Sequence, residues 1–246
     1  PFIKPLLVYD SAMVFLKNLL LSSLLILLPI LTHAADNHAL EQQRTQFQQA
    51  LNGLQNGKLT QYYTHKKQLG HYPLKNYLEY RYLRTHLNTV NPDSLTRFIK
   101  QNRHSFYADR LRNVWLDRLA KNKQWSHYLK HYQAPQNAAR QCARLAALIN
   151  TGKQQQALKE MPALWLTGQS QHKNCDAPFR FFESKGKLTD KLRWQRLQLA
   201  MEQQQFSLAN YLAKSVKHTA AAKKLVARWQ RMHQKPLGQL QLMPSQ

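Results

Sequence analysis

The chain has 246 residues, 36 of them Lys or Arg against 12 Asp or Glu, for a formal net charge of +24. A surface so basic favours polyanionic partners: nucleic acid, anionic lipid or a carboxylate-rich polymer. Two cysteines far apart exclude the paired thiol spacing of a structural zinc site. The scarcity of valine and isoleucine after position 35 (Val90, Val114, Val216, Val226, Ile99 and Ile149) argues against a sheet-built fold.

In chain order, residues 1–12 precede the first plausible start, Met13, and read as an upstream extension that is not native. Residues 13–34 have the form of a secretory signal. Lys17 is followed by an apolar run from Leu19 to Leu31, and Thr32-His33-Ala34 places small residues where a signal peptidase needs them. The run is shorter than the ~20 residues that span a bilayer, so no stable membrane span is expected. Export makes nucleic acid the least accessible of the polyanions. It also makes Cys142 and Cys175 a disulfide rather than two free thiols.

From residue 36 on, apolar positions recur with a helical period. Leu111, Val114, Trp115 and Leu119 form one stripe; Ala157, Leu158, Met161, Leu164 and Trp165 form another; Leu225, Trp229 and Met232 form a third near the end. Polar breaks such as Asn56-Gly57-Lys58, Asn91-Pro92-Asp93, Thr151-Gly152-Lys153 and Ser184-Lys185-Gly186-Lys187 separate them. Asp93 and Thr189 are expected N-caps, and Gly152 and Gly186 stand where helices stop. Leu, Ala, Gln, Lys and Arg fill the segments, all strong helix formers. The expectation is an all-α fold: a superhelical, tetratricopeptide-like solenoid of antiparallel helix pairs, with about ten to twelve helices. It would occupy 36–235 as a partial superhelical domain, with 236–246 an irregular, truncated end.

Two blocks carry a resemblance. Leu164-Trp165-Leu166-Thr167-Gly168-Gln169-Ser170-Gln171, followed by Cys175-Asp176, and Tyr72-Pro73-Leu74 with Tyr77-Leu78-Glu79-Tyr80-Arg81 upstream, resemble the N-terminal superhelical (U-shaped) region of the soluble lytic murein transglycosylases. Those enzymes cleave the MurNAc–GlcNAc bond of peptidoglycan to 1,6-anhydro products, and their cysteines look equivalent to Cys142 and Cys175. The resemblance implies the periplasm of a Gram-negative bacterium, peptidoglycan glycan strands as partner, and a C-terminal catalytic domain of the same polypeptide that is missing from this sequence. The residues themselves offer no cofactor motif and no metal-ligand set, so neither is expected.

The family's chemistry rests on a glutamate in a Glu-Ser motif, followed by a Gly-Leu-Met-Gln type segment, acting as acid and then base. Glu183-Ser184 spells the dipeptide without that downstream segment, and its ordinary role is a solvated helix-end carboxylate. Leu240-Gln241-Leu242-Met243-Pro244 echoes the segment, yet no acidic residue occurs from Gln203 onward. His127 and His131 lie at i, i+4 without a third ligand. No catalytic residue is assigned. The acid-free tail offers a basic binding face in Lys214, Lys217, Lys223, Lys224, Arg228 and Arg231.

Tyr62, Tyr63, Tyr72, Tyr77, Tyr80 and Tyr82 could stack on sugars, but tyrosines at helical spacing more often pack between helices. Glu79 and Arg81 suit an inter-helix ion pair, and the five tryptophans suit core positions. Two other classes stay open: a periplasmic tetratricopeptide-like protein-binding adaptor, and a basic polyanion-binding protein whose affinity collapses with salt.

Overall fold

The computed structural model describes residues 38–236, and every regular element among them is helical. The signal expected at 13–34, the extension expected at 1–12 and almost all of the end expected to be irregular, 236–246, lie outside the described residues. The helices are α1 (38–55), α2 (Leu59–Lys67), α3 (Lys75–Thr85), α4 (Pro92–Gln101), α5 (Phe106–Lys121), α6 (Trp125–His131), α7 (Ala138–Asn150), α8 (Gln154–Trp165), α9 (Asp176–Ser184), α10 (Asp190–Glu202), α11 (Phe206–Leu212) and α12 (Thr219–Gln234), with a 3-10 turn at Lys173–Cys175. The all-α fold read from the sequence is the fold observed. Two of these helices, α6 and α11, have 7 residues each.

The punctuation has local causes. Gly152 and Gly186 adopt φ of 79° and 67°, a left-handed conformation that L side chains resist. After each, the chain donates back into the helix it has just left: Lys153 N–H to the Leu148 carbonyl at 2.8 Å, and Lys187 N–H to that of Phe182 at 3.1 Å. Thr189 caps α10 by accepting from Leu192 N–H at 3.3 Å. At α4 the expected cap is displaced by two residues. Asn91, not Asp93, accepts the end N–H (from Asp93, 2.8 Å), because Pro92 with its fixed φ is suited to the first helical position.

The chain divides into two compact units, the division falling within α5 between Leu111 and Arg112. In the first, Phe47, Ala50, Leu54, Tyr62, Leu69 and Leu78 form a buried core. Gly53 on α1 is buried there: a Cβ would stand 2.8 Å from the Tyr62 nitrogen, so α2 enters where only glycine leaves room. Lys66 of α2 donates to Glu79 of α3 at 3.1 Å. Glu79 does make an inter-helix ion pair, but with Lys66, while Arg81 donates to the Tyr77 hydroxyl one turn back at 2.9 Å. The tyrosines pack: Tyr62 and Tyr80 are buried, Tyr62 stacks on Tyr82 at 5.2 Å, and Tyr77 and Tyr80 both lean on Tyr107; Tyr63 alone of the six is exposed.

In the second unit consecutive helices pack in pairs, α6 on α7, α7 on α8, α10 on α11 and α11 on α12, around Leu145, Met161, Trp165, Leu197, Leu212 and Val226. Trp115 and Trp165 are core; Trp125 and Trp194 are half-buried. The third stripe is a correction. Leu225, Trp229 and Met232 have the spacing of a buried face, yet they are 40%, 42% and 39% exposed, and α12 seats itself on Ala222 and Val226 instead. Small residues let α12 approach α10 and α11 closely, and that contact selects the face.

Candidate functional site

α8 ends at Trp165, and the signature segment after it turns back over α10. The turn is held by short-range bonds: Thr167 N–H to the Trp165 carbonyl at 2.8 Å, Gln169 N–H to Thr167 Oγ1 at 3.3 Å, and Gln171 Nε2 to the Leu164 carbonyl at 3.3 Å. Gly168 lies flat against α10, where a Cβ would run into the Leu199 carbonyl oxygen. His172 then caps the 3-10 turn by accepting from Asn174 N–H at 3.1 Å. The turn is bound to α7 by the Cys142–Cys175 disulfide and by Asn174 Nδ2 donating to the Ala139 carbonyl at 3.2 Å.

This segment, with α9, α10 and α11, walls a cleft of about 680 Å³. Its lining includes Trp165, Phe179, Tyr211, Arg180, Arg193 and Arg196, with Asp176 and Glu183. Trp165 and Phe179 meet edge to face at 5.0 Å, and Trp165 Nε1 donates to the Leu192 carbonyl at 3.1 Å. The Arg196 guanidinium sits 4.4 Å from the Trp165 ring centre and 5.5 Å from that of Phe179. Cation–π contact of this kind offsets some of the cost of desolvating the charge. Burial nonetheless holds the Arg196 pKa below its ordinary value, opposed by the nearby Tyr211 phenol.

The residues singled out in the sequence are placed as follows. Glu183, in the last turn of α9, forms an exposed ion pair with Arg193 at 2.8 Å, and Ser184 Oγ donates to the Phe181 carbonyl at 2.9 Å. His131 packs tilted against Trp115, ring centres 4.1 Å apart, while His127 is exposed, so the two rings serve different surroundings. Lys214, Lys217, Lys223, Lys224, Arg228 and Arg231 are all exposed. Only Lys224, Arg228 and Arg231 share a stripe of α12; Lys223 is ~100° further round, and Lys214 and Lys217 precede the helix. Arg196 and Tyr211 were missed. The available signal was an arginine inside the stripe Leu192, Arg196, Leu197, Ala200, where a charge is out of place unless something answers it.

An all-helical fold with a disulfide-tied turn after α8 defines the class, and known proteins narrow it. No family model matches the chain. The soluble lytic murein transglycosylase of Salmonella typhimurium is 29% identical over 205 residues, 83% of this chain and 32% of that protein; the Escherichia coli protein is 29% identical over 176 residues, 71% and 27% respectively. The crystal structure of the 70-kDa soluble lytic transglycosylase from Escherichia coli aligns with a TM-score of 0.69 at 27% identity, covering 80% of this chain and 32% of that one. The chain is homologous to the soluble lytic murein transglycosylases, and it spans about a third of the length of the curated relatives it matches.

Proposed function

We propose that these helices are the superhelical, glycan-positioning part of a periplasmic lytic transglycosylase, whose catalytic domain would cleave peptidoglycan to 1,6-anhydro products. The observation that carries this reading is the homology: identity and backbone agreement run together over some four-fifths of the chain. The domain at 36–235 would then serve as a body that carries the catalytic module and holds the wall beside it. The disulfide and the signal-like segment at 13–34 suit an exported protein. The exposed cations on and before α12 suit a carboxylate-bearing polymer, and among the described residues no helix is long and apolar enough to cross a membrane.

Co-sedimentation of the oxidised protein with insoluble peptidoglycan sacculi, across a salt series and with muropeptide release followed in parallel, tests the proposal. Binding that survives moderate salt, without release of anhydro-muropeptides, is the expected outcome. Indifference to sacculi, with saturable binding to a protein partner, would move the weight to an adaptor role. Binding that collapses steeply with salt would mark a general polyanion binder.

A further inference from the structure

We infer that the cleft between the signature segment and α9–α11 is a carboxylate-binding site anchored by Arg196. Its ligand, on the peptidoglycan reading from which this inference takes its substrate class, would be the free carboxylate of a peptide stem borne on the glycan.

Arg196 is 5% exposed, and its Nε is buried with no hydrogen-bond partner. Among the described residues its hydrogen bonding amounts to one long contact, Nη2 to the Gln169 carbonyl at 3.4 Å. A guanidinium has five N–H donors, and a buried one is ordinarily met by a carboxylate. Here the guanidinium lies against the rings of Trp165 and Phe179, which supply no oxygen acceptor for its N–H groups. The nearby carboxylates are otherwise engaged: Glu183 is paired with Arg193, and Asp190 accepts from Lys217 N–H at 2.8 Å. Asp176 lines the same wall and opposes an anion, but Arg180 stands one turn along on α9. The lining guanidiniums of Arg180, Arg193 and Arg196 outnumber the two carboxylates.

The remaining surfaces fit a carboxylate with a body attached. A guanidinium fork matches the two oxygens of a carboxylate in plane. Tyr211, 69% exposed, and Leu208 line the cleft and offer an apolar surface for the ligand's body. The volume is within the range of small-ligand pockets. The signature segment thereby acquires a role beyond packing: the Gln169 carbonyl accepts from the guanidinium, and the Gly168 contact with α10 fixes where that oxygen lies.

The test is a titration of the ¹⁵N-labelled protein with L-alanyl-D-glutamate, following the arginine Nε–H resonances by NMR. The Arg196 resonance is identified by its loss in Arg196→Lys. It should shift saturably, with a Kd on the order of millimolar for a single charge-assisted pair. The neutral diamide of the same dipeptide should leave it unmoved. Tyr211→Ala, at an exposed position that the fold does not need, should weaken the dipeptide at least threefold and keeps the test decisive if Arg196→Lys fails to fold. Equal shifts from the diamide, tighter binding of inorganic phosphate, or no response at tens of millimolar would each overturn the site. Dipeptide binding without sacculus binding would leave the site standing and sink the peptidoglycan reading; sacculus binding with a silent Arg196 would do the reverse.

Discussion

Tyr62 and Tyr128 are both fully buried phenols whose hydroxyls are in opposite situations. Tyr128 Oη donates to the Arg140 carbonyl at 2.7 Å, whereas Tyr62 Oη is buried without a partner. Removing a satisfied hydroxyl loses a hydrogen bond, while removing an orphan relieves a desolvation cost. Tyr128→Phe should therefore destabilise by about 1 kcal/mol and Tyr62→Phe should be neutral or stabilising, as read by denaturant titration. Burial pushes both phenols well above their ordinary value of 10.0. A raised folded-state pKa means that the associated stability is complete below pH 10 and is lost as pH rises towards the folded values. Spectrophotometric titration should thus show these two ionising only with alkaline unfolding. The glycines supply a second contrast. Gly152 has open space around its Cβ position and resists substitution only through its positive φ, so Gly152→Ala should cost about 1 kcal/mol. Gly168→Ala drives a methyl into the backbone of α10 and should cost about 3 kcal/mol or more. Equal losses would mean that the signature turn is not pressed against α10.

At the scale of elements, the disulfide joins α7 to the 3-10 turn across a sequence separation of 33 residues. Closing a loop of that length restricts the unfolded chain by about 3–4 kcal/mol on the entropic account. Reduction, or the double change Cys142→Ala with Cys175→Ala, should lower the melting temperature by about 10 °C for a chain of this size. Loss should be greatest around the 166–176 segment, visible as faster amide exchange there. α12 supplies the other element-level expectation. Its exposed Trp229 should tolerate alanine at a cost within about 1 kcal/mol. Trp165, buried between α10 and Phe179, should lose about 3–5 kcal/mol on the same change. A large effect at Trp229 would restore the buried-stripe assignment made from spacing alone.

Across the whole molecule, 36 basic side chains face only 12 acidic ones, so most positive charge has no counter-ion within the protein. Self-repulsion of that kind opposes compaction and is screened over a Debye length of about 10 Å at 0.1 M salt. Raising sodium chloride from about 10 to about 150 mM should raise the melting temperature by a few degrees while weakening attachment to any polyanion. A melting temperature that falls with salt would instead assign net stability to ion pairs such as Arg140–Asp117, bidentate at 2.7 and 2.8 Å.

The sequence by itself determined the helical class, the helix ends at Gly152, Gly186 and Thr189 and the pairing of Cys142 with Cys175, because these follow from local propensity, from positive-φ glycines and an N-cap side chain, and from the scarcity of thiols. It also carried the family resemblance in the Leu164–Gln171 and Tyr72–Arg81 blocks. Only the tertiary structure decided which face of α12 is covered, that Glu79 pairs with Lys66, and that Arg196 lies in a cleft with no carboxylate partner among the described residues. Each of those depends on which helix packs against which. Periodicity marks a face as apolar, but whether that face is buried is settled by the neighbour that reaches it: Ala222 and Val226 admit a closer approach than Leu225 and Trp229 do.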